Sequence, residues 1–154
     1  MSVEYLLEVM STPDVTAILD AGARVIAEVV TPYGFVWVPG PTHRGHPGDS
    51  ASGSFERGDR RLELHYRWSL SIVSYHFGDS VLSHVSYMRH SGHKADARYP
   101  GFSSDPLDAF RDVAYDLAHF CEDFLGGSGD SFRAAWTAAT ESPQAAGFKG
   151  LDTT

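Results

Sequence analysis

At 154 residues, with 42% apolar and 21% charged side chains, the chain has the length and composition of one globular domain rather than of a disordered segment. Twelve Lys and Arg against twenty Asp and Glu leave a formal charge of −8, which repels phosphate backbones and anionic membranes and suits a basic protein partner. A single cysteine, Cys121, excludes an internal disulfide, MSVEYLLEVM is not a signal peptide, and no run of 18 apolar residues can span a membrane, so a soluble cytoplasmic domain is expected.

Val3, Leu6, Leu7 and Met10 repeat at the spacing of one helical face, which predicts a short helix at the start. A second helix is predicted over 13–30, with Thr12 as N-cap, Pro13 at the first position and Pro32 as the stop. Tyr33 to Val38, rich in aromatic and β-branched residues, reads as a strand, and 39–52, with three prolines and several glycines, reads as a mobile loop. Two strands joined at Gly58-Asp59 follow. In the second, Leu62, Leu64, Tyr66 and Trp68 alternate with Glu63, His65 and Arg67, the pattern of a half-buried antiparallel strand.

Leu70 to Phe77 is a further strand, ended by Gly78-Asp79, and Val81, Leu82, Val85 and Met88 fit a helical face, with a strand as the alternative. Asp105, Pro106 and Asp108 open the strongest predicted helix, 105–125. Its apolar stripe runs through Leu107, Phe110, Val113, Leu117, Cys121 and Phe124 to the stop at Gly126-Gly127. A last helix is predicted over about 130–140. The reading is one α+β domain over 1–140, a two-layer sandwich in which an antiparallel meander of about four strands is covered by N-terminal and C-terminal amphipathic helices. Residues 141–154, small and polar without period, read as a loosely ordered tail.

The outer side of the 105–125 helix carries Asp108, Asp112 and Asp116 at successive i+4 steps, then Glu122 and Asp123. Like charges at this spacing cost roughly 0.2–0.5 kcal/mol per pair, so local helix stability does not favour them. A docking face for a basic protein explains them, as does a plain solvated surface aided by Arg111. Asp108, Asp112, Asp116 and Asp123 are the candidate partner-binding residues on the first view, with Tyr87 or Tyr99 as an aromatic anchor. The alternative is a small-molecule enzyme or ligand-binding domain with a pocket between sheet and helices, using Glu63, His65 and Arg67 as acid, base and cation. A third reading is a homodimer held by an apolar surface patch.

Asp112, Asp116, His119 and Asp123 together could ligate a metal, but the chain has no HExxH, paired CxxC or repeated ExxH, and its loop histidines lack ligand spacing; no metal is expected. No GxSxG, Walker loop or GxGxxG is present, so neither a cofactor nor a catalytic residue is assigned. Cys121 on the apolar stripe reads as a core residue.

The run RGDRRLELHYRWSLSIVSYHFGDSVLSHVSYMRH, with RYPGFSSDPLDAFRDV after it, resembles small uncharacterised bacterial proteins. In size, acidity and two-layer plan the chain also resembles the immunity proteins that neutralise polymorphic toxins. That resemblance implies a non-enzymatic inhibitor that occludes the active site of a basic toxin.

Overall fold

A computed structural model describes residues 14–45 and 48–141. The predicted helix over Val3–Met10, the cap at Thr12-Pro13, His46 and the tail from 142 lie outside the described residues. The elements are helix α1 (Val15–Val30), strands β1 (Val36–His43), β2 (Ser50–Arg57), β3 (Arg60–Tyr66), β4 (Leu70–Phe77) and β5 (Ser80–Ser83), then helices α2 (His84–His90), α3 (Pro106–Phe120), α4 (Glu122–Leu125) and α5 (Asp130–Thr140). The strands form one antiparallel sheet in chain order, β1 to β5, with the helices packed on a single face. The class is α+β, with five strands where about four are predicted.

Alternation accounts for the sheet. In register, Trp37, Phe55, Leu62, Tyr75 and Leu82 form a row across all five strands, and all but Trp37 are buried. The next row, Val38, Ser54, Glu63, Ser74 and Ser83, points away from the helices, as a period of two requires. Against the inner face lie Ile26 and Val30 of α1 and Phe110, Val113 and Leu117 of α3, all at or near zero exposure. Each such side chain contributes roughly 1.5–3 kcal/mol on burial. The two helices approach closely because residue 22 is glycine: a Cβ there would lie 2.3 Å from the Phe110 ring.

Three local readings are corrected. The predicted loop 39–52 is largely a hairpin, since β1 continues to His43 and β2 starts at Ser50. Pro39 and Pro41 are tolerated because β1 is an edge strand, with a register shift between Pro39 and Thr42. Val81 and Leu82 belong to a strand, and the helix begins only after Ser83, whose hydroxyl caps the Ser86 N–H. Trp68 does not continue the inward row: a register shift at His65/Tyr66 ends β3, and the indole is 71% exposed.

The helix boundaries follow their capping chemistry. The Asp14 side chain accepts from Thr16 N and starts α1, and Gly34, with φ of +95°, closes the Thr31–Tyr33 turn after it. Asp105 accepts from Leu107 N, with Pro106 at the first position, as predicted. The predicted 105–125 helix breaks at Cys121, and the break lets Cys121, Phe124 and Leu125 all enter the core.

Candidate functional site

The acidic residues of α3 share a side of the helix, as their spacing requires, but exposure falls along it: the Asp108 side chain at its N-terminal end is 42% exposed, Asp112 is half-buried and Asp116 buried. That side lies beneath the segment 91–105, a strap that connects α2 to α3. Asp116 is 0% exposed; its carboxylate accepts from Arg98 N at 2.8 Å, Tyr99 N at 3.0 Å and His84 Nε2 at 2.8 Å. The other ring nitrogen of His84, Nδ1, is hydrogen-bonded to the Tyr75 hydroxyl at 2.6 Å, and that hydroxyl lies 3.7 Å from Cys121 Sγ. Farther along the strap, the Gly101 backbone runs beside Asp112 Oδ2, and Ser103 Oγ donates to Asp108 at 2.6 Å. The expected docking face for a foreign protein is therefore the seat of the chain's own strap. Backbone N–H donors and a buried imidazole answer the repulsion that the spacing alone leaves unexplained.

Asp108 and Asp123 are also engaged, while Asp112 has no such partner among the described residues. Arg111 donates to Asp108 at 2.6 Å and to Asp105 at 3.2 Å; the Ser103 hydroxyl, and after it Arg111, hold the Asp108 carboxyl below its ordinary pKa. Asp123 caps α5 from the preceding turn, accepting from Gly129 N at 3.1 Å and Phe132 N at 3.0 Å. The predicted anchors are corrected too. Tyr87 is fully buried, and Tyr99 is half-buried with its hydroxyl donating to Leu70 O.

The alternative pocket between sheet and helices is not formed by Glu63, His65 and Arg67. Glu63 and His65 stand on the opposite, open face of the sheet. There Glu63 bonds His65 Nε2 at 2.6 Å and His76 Nε2 at 2.9 Å, with Arg61 at 3.5 Å. Burial alone would raise the Glu63 pKa, but the bonds from His65 and His76 outweigh it and bring it below the ordinary value. Arg67 lies past the end of β3, with its guanidinium 4.5 Å from the centre of the Trp68 ring. Among the described residues no group of three or more His, Cys, Asp or Glu side chains is arranged to hold a metal ion.

What the strap creates is a cleft of about 300 Å³ at one end of the sandwich, between the first turn of α3, the β3–β4 turn and Ile18 of α1. Tyr66, Trp68 and Leu70 line it from the region of the β3–β4 turn, and Gly101, Ser103, Ser104, Asp105 and Asp112 from the strap and α3. Asp112 is half-buried and makes no side-chain hydrogen bond or ion pair among the described residues. Burial raises its pKa, and the neighbouring Asp116 and Asp108 raise it further against the opposing Arg98. Phe102, between two cleft residues, is fully exposed.

Sequence reasoning assigned Trp68 to the core and did not single out Ser104 or Phe102. The FSSDP run just before a strong helix start was the one signal of a built loop there.

Fold and site together define a two-layer α+β domain with a half-open, aromatic-walled cleft holding one unpaired carboxylate. Compared with known proteins, the chain matches no family model, no curated protein and no solved structure. Among the described residues no helix is long and apolar enough to cross a membrane.

Proposed function

We propose that the protein is a non-enzymatic protein-binding domain of the immunity type that acts in a reducing cytoplasm. It captures a basic protein, such as a cognate toxin, at the end of the molecule where the cleft opens. The observation that carries this reading is the pair of large aromatic side chains left in solvent there, Trp68 at 71% exposure and Phe102 fully exposed, beside the unpaired carboxylate of Asp112. Aromatic anchors surrounded by polar groups supply most of the energy in protein interfaces. A net charge of −8 supports a cationic partner through faster, oriented encounter.

The test uses the chain as bait in its native cytoplasm, alongside a Trp68→Ala/Phe102→Ala double variant of equal thermal stability. A basic protein enriched by the parent, lost with the variant and released by high salt supports the proposal. Equal recovery by both baits refutes it.

A further inference from the structure

We propose that the cleft is an arginine receptor: the guanidinium of one partner side chain seats against the Asp112 carboxylate and the Trp68 ring. This inference rests on the reading of the cleft as the docking surface and names the group that enters it. Three observations lead to it.

The first is the carboxylate. Asp112 is half-buried in the cleft wall and unsatisfied among the described residues, while its fellow stripe members Asp108 and Asp116 are fully engaged. A partly desolvated carboxylate without a donor is stabilised by a cation that brings its own N–H groups. The second is the local field. At Asp112 itself the neighbouring Asp116 and Asp108 outweigh Arg98, which favours a cation beside this carboxylate. The third is the indole that lines the same cleft. Trp68 already has one guanidinium, that of Arg67, 4.5 Å from its ring centre and its Nε1 edge beside Gly48, and the residue is still 71% exposed. A planar, weakly hydrated guanidinium meets both an aromatic surface and a two-oxygen acceptor, whereas an ammonium meets the carboxylate alone.

The experiment titrates the full chain with acetyl-Gly-Arg-Gly-amide, following tryptophan fluorescence and the indole N–H resonance of Trp68, assigned by its loss in Trp68→Phe. The same peptide with citrulline, neutral and nearly isosteric, and with lysine in place of arginine supplies the controls. The expected result is saturable binding of the arginine peptide that shifts the Trp68 resonance. It weakens at least about tenfold with citrulline or in Asp112→Asn, and severalfold with lysine. Equal binding of arginine and citrulline peptides overturns the inference, as does equal binding of arginine and lysine peptides. If no peptide shifts Trp68 while the Trp68→Ala/Phe102→Ala bait still loses its partner, the docking surface stands and the arginine assignment alone falls. The citrulline arm uses the unaltered protein and does not depend on how any variant folds.

Discussion

Asp116 separates two accounts of the acidic helix side most sharply. If its carboxylate were part of a solvated surface, Asp116→Ala would change stability by at most about 0.5 kcal/mol. The structure gives it three donors and no solvent contact. Removing it strands the N–H groups of Arg98 and Tyr99 and Nε2 of His84. A buried donor without a partner costs about 1–3 kcal/mol, and three are stranded here. The strap can shift so that Arg98 and Tyr99 find water, but His84 at 1% exposure stays trapped. The expected cost is therefore about 3–5 kcal/mol, the lower part of the roughly 3–9 kcal/mol that three full penalties would give.

Asp116→Asn keeps an acceptor for one strap N–H, and its amide can donate to His84 in the other tautomer, so about half that cost is expected. Urea unfolding followed by far-ultraviolet circular dichroism measures this. With a slope of about 2 kcal/mol/M, a loss of 4 kcal/mol lowers the midpoint by about 2 M at unchanged slope. An Asp116→Ala variant within about 1 kcal/mol of the parent would refute the strap-seat account.

Asp112 should behave oppositely. Its raised pKa means that the folded state holds the proton more tightly than the unfolded chain, so this group's contribution is present in acid and lost as pH rises through the folded pKa. Asp112→Asn should leave stability at pH 7 unchanged or higher, and a clear fall in the unfolding midpoint would contradict the assignment. Glu63 has the reverse sign: its lowered pKa contributes stability above the unfolded value of about 4.3 that is lost as pH falls through the folded pKa. In Glu63→Gln the loss of stability between pH 5 and 3 should be shallower than in the parent, as measured by urea titrations at each pH. Burial pushes the Cys121 thiol up to about 12, so a thiol reagent at pH 8 should label it only after unfolding; complete labelling of the native chain within minutes would count against a core role. Gly22→Ala gains about 1 kcal/mol of helix propensity but drives a methyl into Phe110, and a lower melting temperature is expected.

Elements whose physics is local were readable in the residues. The α3 stripe from Phe110 to Leu117 follows the 3.6-residue period and starts at a capping aspartate followed by proline, and α5 appeared over its observed span. The β2–β3 turn at Gly58-Asp59 and the alternation of Leu62 and Leu64 with Glu63 likewise placed two strands and their faces. Trp68 was lost because a register shift breaks the period of two, and a period says nothing about where it will be broken. The acidic stripe was located correctly along the helix and misread in its surroundings. Three aspartates at i+4 look the same whether water or another backbone lies over them, and donors such as the N–H of Arg98 carry no side-chain signature. The partnership of His84 with Asp116 spans 32 residues and follows from the packing of α3 against the sheet, which no local pattern encodes.

The prolines of β1 bear on how copies of this chain can meet. Positions 39 and 41 offer no amide proton to an incoming backbone, and at the opposite margin β5 stops after four residues. Neither border of the sheet gives a neighbour an uninterrupted ladder to extend, so ribbon-like polymerisation through strand addition is obstructed at both sides. Among the described residues, self-association is then left to broad surfaces and side chains, and its strength should respond to surface substitutions more than to changes at the strand borders.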